Sequence, residues 1–262
     1  KAIENKTSWN IPQTEFEKDL SETEGAKVLH LKVEDELGNA TTEKINFTVD
    51  TKAPDISLET PDTTETIYIN SNGTVTLQGE ARDAIGFKHV EIKLGTKILE
   101  LVKIDSEEKW TCTIAGSDLA SDVSTNVIIT AIDDAGHTRS LPVFNVYKDT
   151  KKPDLVLKNI DNGTIITEQD LKDGKFTIKG SWNDNGGSGL SGDLSKLEYK
   201  LNSGDWTPIS TTNSEWSQEI TLTEGKGQTI SFKATDAVGN EQTLVKEILI
   251  DLSLPTITTS VP

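Results

Sequence analysis

Apolar and polar residues alternate along most of the chain, which is the period of a β-strand with one buried face. The clearest alternation precedes three similar turns, where every second residue is apolar. The matching apolar triplets are Leu29, Leu31 and Val33; Val127, Ile129 and Ala131; and Ile230, Phe232 and Ala234. Each triplet predicts a half-buried antiparallel strand.

The same period predicts strands throughout two consecutive stretches, separated by Asn-Gly and similar turn signals. The first stretch contains segments Thr74–Arg82, His89–Leu94, Ile98–Ile104, Lys109–Ile114, Val127–Asp133 and Val143–Lys148. The second contains Lys175–Asp184, Lys196–Leu201, Trp206–Ser210, Glu215–Leu222, Thr229–Asp236 and Lys246–Asp251. No helix longer than a turn or two is predicted. About seven short strands per 100 residues is typical of an immunoglobulin-like sandwich, so the predicted class is all-β.

A repeated motif divides the chain into tandem units. Asp, two residues and Gly occur three times, each followed by a second Asp and then, four residues later, a Pro. The motif begins at Asp35, Asp133 and Asp236, and its second Asp is Asp50, Asp149 or Asp251. We expect the C-terminal half of one repeat at 1–50, complete repeats at 51–149 and 150–251, and the start of another at 252–262. Short linkers between them predict a head-to-tail rod.

The composition of the chain disfavours some classes of partner and favours others. The formal net charge is −17, which disfavours nucleic acid because binding there depends on Lys and Arg neutralising phosphate. No segment is apolar enough to span a membrane. The absence of Met predicts a piece of a longer protein. The single cysteine, Cys112, cannot form an internal disulfide and is expected to be a small buried hydrophobe. This favours a bacterial surface or extracellular protein over an animal ectodomain.

Three segments carry a resemblance to a known family. They are Gly79–Asp83, Ala131–His137 and Asp149–Pro153, and Ala234–Asn240 repeats the second. Together they resemble the bacterial immunoglobulin-like repeats of large cell-surface adhesins, a class also found as ancillary modules of secreted glycosidases. The resemblance implies stiff rods with calcium bound by Asp residues at the joints. His137 departs from the usual Asn, and Leu252–Pro255 departs from the usual Asp-Thr-x-x-Pro.

The carboxylates also suggest a metal site without the family. In an immunoglobulin-like sandwich, the B–C and F–G loops lie at the pole where the first strand begins, which is where a preceding repeat would end. Stacking therefore predicts convergence of one acidic residue from the end of a repeat with two from the next. The predicted sets are Asp50, Asp83 and Asp133 at one joint, and Asp149, Asp184 and Asp236 at the other. Calcium binds six to eight oxygen ligands, so it would suit both sets.

The alternative is that these Asp residues cap turns, since Asp favours turns by accepting backbone hydrogen bonds. Recurrence at three positions near one pole favours the metal site. Asp134, Asn185 and Asp193 are weaker additions. Zinc is disfavoured because no Cys/His cluster is present. His30, His89 and His137 are expected at the surface, and the absence of catalytic motifs predicts a non-enzyme.

The aromatic residues allow two interpretations. Phe16, Trp110 and Trp216 share one position of an alternating strand and are predicted to lie in the core. Trp206, or less favourably Trp182, could stack on a sugar. The sequence thus predicts a non-catalytic structural stalk whose partners are adjacent repeats. The alternative is an accessory module that binds a glycan or a host surface.

Overall fold

The computed structural model describes residues 24–61, 65–190, 195–211 and 214–257, and these residues are mostly β-strand. Two short 3-10 turns, Gly116–Asp118 and Glu168–Asp170, interrupt the strands. The strands are β1 Gly25–Glu34, β2 Ala40–Val49, β3 Asp55–Ile56, β4 Ile67–Ile69, β5 Thr74–Arg82, β6 Phe87–Leu94, β7 Lys97–Val102, β8 Lys109–Ala115, β9 Ser124–Asp133, β10 Thr138–Ser140, β11 Phe144–Lys148, β12 Asp154–Leu157, β13 Thr164–Thr167, β14 Phe176–Asn183, β15 Lys196–Leu201, β16 Thr207–Pro208, β17 Glu215–Ile220, β18 Gly225–Thr235 and β19 Glu241–Asp251. The all-β prediction is confirmed. No helix within the described ranges is long and apolar enough to cross a membrane.

The described residues fall into two compact units. One lies within Lys1–Asp62, Thr76–Cys112 and Val127–Val143, and the other within Thr63–Val75, Thr113–Asn126 and Phe144–Pro262. The predicted repeat boundaries at 51–149 and 150–251, and the rod, stay predictions.

The first unit contains antiparallel ladders. Strands β1 and β2 pair in continuous register from Gly25 opposite Val49 to Glu34 opposite Ala40. Strand β3 pairs with β5, and β6 lies between β7 and β9. Buried apolar side chains of this unit include Leu77, Ala81, Val90, Ile92, Leu94, Val102, Trp110, Cys112, Val127, Ile129 and Ala131. Cys112 is therefore a buried residue, as predicted.

The second unit contains a β-sandwich. One sheet has the order β12-β14-β17, and the other has the order β13-β19-β18-β15-β16. Strand β13 runs parallel to β19, whereas the other pairs are antiparallel. Side chains from both sheets form one core, including Leu155, Ile178, Trp182, Trp216, Leu197, Ile230, Phe232 and Ile248. The pairings β3 with β5, β4 with β11 and β9 with β6 repeat this topology earlier in the chain.

A tryptophan and a glycine recur together in this architecture. Trp216 is buried against Phe232, with ring centroids 5.7 Å apart. A Cβ on Gly180 would lie 2.3 Å from a ring carbon of Trp216. A Cβ on Gly79 would likewise lie 2.9 Å from the ring of Trp110 and 2.0 Å from the Ser57 carbonyl oxygen. Glycine is thus required where the ring crosses the neighbouring strand.

These contacts confirm that Trp110 and Trp216 are core residues. Phe16, predicted at the same position, lies outside the described residues. Trp182 is also buried, so the interpretation of this residue as an exposed sugar platform is wrong. Its side chain belongs to the alternating inward face of β14, which covers the core.

Candidate metal centre

Three carboxylates meet in the second unit, and we call this set the second acidic cluster. It consists of Asp149 directly after β11, Asp184 directly after β14, and Asp236 directly after β18. One carboxylate oxygen from each lies within 4.8 Å of the others. Asp149 and Asp236 are fully buried at 0% exposure, and Asp184 is partly buried. The predicted set of three is therefore brought together.

Asp236 is fixed by a tight turn. Its Oδ1 accepts hydrogen bonds from the backbone N–H groups of Val238 at 2.9 Å and Asn240 at 2.8 Å. Asn240 Nδ2 donates to Asp236 Oδ2 at 2.8 Å and to the backbone carbonyl of Asp149 at 3.2 Å. The Asn side chain thus links two members of the cluster, a role that the motif spacing alone does not reveal.

The loop after β14 wraps over the cluster. Gly189 N–H donates to Asp184 Oδ2 at 2.6 Å, and Ser188 N–H donates to Asp149 Oδ2 at 2.6 Å. A Cβ on Gly187 would lie 2.6 Å from Asp184 Oδ1 and 2.8 Å from Asp149 Oδ2. A side chain there would therefore collide with the carboxylates, so glycine is required at this position.

Two buried polar atoms beside the cluster lack a hydrogen-bond partner among the described residues. Asp184 Oδ1 and Ser188 Oγ are buried and form no hydrogen bond within the described part of the chain. Such atoms are uncommon, because an unsatisfied buried polar group loses its interaction with water. Burial raises the pKa of Asp184, and the charges of Asp149 and Asp236 raise it further, against the Gly189 hydrogen bond and Lys151. A bound cation would supply the missing partner and remove the repulsion.

The first acidic cluster differs in its ligand chemistry. Asp50, Asp133 and His137 offer one ligand atom each, and these atoms lie within 4.8 Å of one another. Asp133 is fully buried and accepts hydrogen bonds from His137, through the backbone N–H at 2.8 Å and Nδ1 at 3.1 Å. Burial raises the pKa of Asp133, but hydrogen bonds from the His137 and Gly136 backbone outweigh it, and the pKa lies below its usual value.

Sequence reasoning placed His137 at the surface and did not include it in the site. Its side chain is 38% exposed and contacts Asp133. The imidazole takes the place that the Asn side chain holds in the third turn, so it can donate the equivalent hydrogen bond. The observation that a His replaces Asn at this position was the available signal. Ser188 was likewise not predicted as a neighbour of the carboxylates.

Asp83, which was predicted at the first joint, is not one of the three residues grouped there. Its Oδ1 caps its own loop, accepting hydrogen bonds from Ile85 N–H at 2.8 Å and Gly86 N–H at 3.0 Å. Lys52 lies near Asp50 and Asp83. Its ammonium binds Glu24 at 2.6 Å, and the pKa of Lys52 is raised first by Glu24 and then by those two carboxylates.

The weaker additions do not join either cluster. Asp134 and Asn185 are exposed and belong to neither group, and Asp193 lies outside the described residues. Asp35 and Asp251 also begin or end repeat motifs but are exposed. In the part of the chain that the structure describes, the carboxylates are therefore grouped where a strand end meets the loops of the following segment.

Trp206 was the better candidate for sugar stacking. The ammonium groups of Lys200 and Lys233 each lie 4.9 Å from the centre of its ring. Lys233 also contacts Glu198 at 3.2 Å. The ring thus already has two cation–π partners.

Comparisons with known proteins give structural likenesses only. No protein-family model and no curated protein matches the chain. The chain is similar to the fibronectin(III)-like modules of Clostridium thermocellum CbhA, with 16% identity and a TM-score of 0.39, over 79% of this chain and 100% of that one. It is also similar to a Ca²⁺-stabilized, ice-binding adhesin of an Antarctic bacterium, with 20% identity and a TM-score of 0.43, over 87% of this chain and 57% of that one.

A third likeness is to a 1.5-MDa bacterial ice-binding adhesin, with 19% identity and a TM-score of 0.45, over 90% of this chain and 78% of that one. The structural neighbours thus include bacterial adhesin repeats and fibronectin III-like modules. With TM-scores below 0.5, these likenesses say nothing about the acidic clusters. The description of the clusters depends only on the residues of this chain.

Proposed function

We propose that this chain is a non-catalytic structural segment of an adhesin-like protein, at a bacterial surface or in the extracellular space. Its partners are adjacent repeats of the same chain, and calcium bound at the acidic clusters stiffens the joints. The observation that carries the proposal is the second acidic cluster. It combines two fully buried carboxylates with a buried Asp184 oxygen that forms no hydrogen bond with any described residue.

Calcium suits the second acidic cluster better than softer metals. The three acidic side chains offer only oxygen, which is the ligand that calcium prefers. Ser188 Oγ is a further oxygen ligand on the loop whose backbone holds Asp149 and Asp184. Secreted proteins meet millimolar calcium, so even a site of modest affinity would be filled.

For the first joint the proposed ligands remain the predicted set, Asp50, Asp83 and Asp133, of which Asp50 and Asp133 belong to the first acidic cluster. Asp83 Oδ1 caps a turn, while its Oδ2 accepts no hydrogen bond from the described residues, so it is the oxygen that would ligate. The imidazole of His137 beside Asp133 makes this cluster less purely an oxygen site. We therefore expect weaker calcium binding here than at the second cluster.

Titration calorimetry and thermal melting with calcium and with a chelator test the proposal. Binding to the native state alone adds about 2.7 kcal/mol of stability when calcium is at a hundred times its Kd. Asp184→Ala should abolish most of that gain. Asp105→Ala is the matched control, because Asp105 caps a turn through Glu107 and Lys109 and belongs to neither cluster.

Two results would overturn the proposal. A melting temperature that calcium leaves unchanged, together with no calorimetric binding at millimolar calcium, would identify the Asp residues as turn caps. Binding of the purified chain to a glycan or host-matrix array would favour the accessory-module alternative instead.

A further inference from the structure

Three Asn-Gly pairs occur within the described residues, and in all three the Asn is exposed. They are Asn72-Gly73, Asn162-Gly163 and Asn185-Gly186. An Asn-Gly pair can deamidate without an enzyme. The backbone nitrogen of the glycine loses its proton and attacks the side-chain carbonyl carbon of Asn. The carbon–nitrogen bond of the side-chain amide breaks and ammonia leaves, which forms a cyclic succinimide. Water then opens the ring to Asp or to isoaspartate.

The reaction requires a free glycine N–H, since a hydrogen-bonded amide must first lose its partner. In two of the pairs this group is held. Gly73 N–H donates to the Asn70 carbonyl at 3.1 Å, and Gly163 N–H donates to the Glu247 carbonyl at 2.8 Å. The Asn162 side chain is held too, because its Oδ1 accepts a hydrogen bond from Glu247 N–H at 3.1 Å.

The third pair is free at the reacting atoms. Gly186 N–H donates to no acceptor in the described ranges, and the Asn185 side chain forms no hydrogen bond there. The Gly186 carbonyl accepts hydrogen bonds from Tyr147 Oη at 3.0 Å and Lys151 Nζ at 3.2 Å. The nearby ammonium favours the negative nitrogen that attacks.

We infer that Asn185 is a site of spontaneous deamidation in the folded chain and reacts well ahead of Asn72 and Asn162. The product alters the loop over the second acidic cluster. Conversion to Asp places a new negative charge next to Asp184. Conversion to isoaspartate inserts a methylene into the backbone just before Ser188 and Gly189, whose N–H groups hold Asp149 and Asp184.

The consequence for calcium rests on the proposed function, whereas the deamidation itself does not. Because isoaspartate displaces the two N–H donors, we expect an aged preparation to bind calcium more weakly at the second cluster. Asn185→Asp adds the negative charge without lengthening the backbone. Its calcium affinity therefore distinguishes the effect of the charge from the effect of the inserted methylene.

The test is incubation of the full chain at mildly alkaline pH, followed by peptide mapping with mass spectrometry and isoaspartate detection. We expect the Asn185 peptide to convert several-fold faster than the Asn72 and Asn162 peptides. The same incubation in concentrated urea is the control, and there the three rates should become similar because folding no longer protects two of them. Equal rates for the three pairs in the folded chain would overturn the inference.

A second measurement distinguishes this inference from the proposed function. Asn185→Gln removes the reactive five-membered ring closure and should keep its peptide unmodified while the other two pairs behave as before. If fresh protein binds calcium and aged wild type binds it more weakly than aged Asn185→Gln, both are supported. If mapping shows selective deamidation but fresh protein binds no calcium, the modification stands and the calcium proposal fails.

Discussion

Asp35 and Asp236 cap their turns with matched hydrogen bonds, but only Asp236 is buried among other carboxylates. Asp35 Oδ1 accepts from Leu37 N–H at 2.9 Å and Asn39 N–H at 2.8 Å, and its Oδ2 accepts from Asn39 Nδ2 at 2.8 Å. The Asp236 distances are the same, yet Asp35 is exposed and Asp236 is at 0% exposure. Turn capping therefore accounts for the motif, and only the surroundings distinguish a candidate ligand from a cap.

This pair allows a direct test of cation binding. Asp236→Asn and Asp35→Asn each replace one oxygen of a capped turn by an amide, so the turn hydrogen bonds that they disturb are matched. In calcium we expect Asp236→Asn to lose up to about 2.7 kcal/mol more stability than Asp35→Asn, since it also loses a ligand. In chelator most of that difference should disappear. Equal losses for the two variants in both conditions, measured by thermal melting, would contradict the site.

The effect of Asp184→Asn on the stability of the folded chain should change sign when calcium is added. The pKa of Asp184 is raised in the folded chain, so the carboxyl binds its proton more readily when folded. Its contribution to stability is therefore greatest at low pH and declines as pH rises from the unfolded pKa through the raised folded pKa. At neutral pH in chelator, the neutral Asn should be as stable as wild type or more stable.

In calcium the order should reverse, because the ionised carboxylate then has a cation. Lowering the pH towards the raised pKa of Asp184 should also reduce the calcium-dependent gain of the wild type. Melting curves of both proteins from pH 4 to 7 would measure this, on the scale set by ordinary Asp values of about 3.9. A variant less stable than wild type in chelator at neutral pH would refute the repulsion argument.

Two His137 variants test how much the hydrogen bond from this side chain to Asp133 stabilises the fold. His137→Asn keeps a side-chain donor for the buried Asp133 carboxylate, as Asn240 does for Asp236, so we expect a change within about 0.5 kcal/mol. His137→Ala leaves Asp133 Oδ2 without that donor and should cost about 1–3 kcal/mol.

The variants His137→Ala and His137→Asn should also differ in their stability at acid pH. Because the folded pKa of Asp133 is lowered, its contribution is present above the unfolded pKa and is lost as pH falls through the folded pKa. Removing the His137 donor raises that pKa, so His137→Ala should lose this contribution at a higher pH than His137→Asn. Acid titrations followed by circular dichroism would show the order, and coincident curves would argue against the hydrogen bond.

Trp216→Ala should cost about 3–5 kcal/mol, because it empties a core position packed against Phe232. Trp206→Ala is the control, since it removes a partly exposed ring with cation–π contacts worth about 0.5–1 kcal/mol each. Gly180→Ala should cost at least about 1–3 kcal/mol through collision with Trp216. Chemical denaturation measures all three, and similar small losses for both Trp variants would place Trp216 outside the core.

The sequence by itself determined the longer strands and which of their residues face the core. The predicted segments Thr74–Arg82 and Lys196–Leu201 coincide with β5 and β15. Alternation is a local property, because successive side chains of a strand point to opposite faces. It therefore identifies inward residues such as Trp216 without knowledge of the partner sheet. The motif spacing similarly pointed to Asp149 and Asp236, whereas Asp184 was predicted because it ends the strand segment Lys175–Asp184.

The tertiary structure decided which atoms meet. The parallel pairing of β13 with β19 cannot be seen in the alternation of either strand. The short strands β3, β4, β10 and β12 have too few residues to show a period of two. The approach of His137 to Asp133, the partnerless Asp184 oxygen and the requirement for glycine at 187 depend on loop conformations. Gly186 and Gly189, with φ of +78° and +89°, set the path of that loop, and contacts between residues distant in sequence fix it. Such contacts leave no periodic signal in the chain.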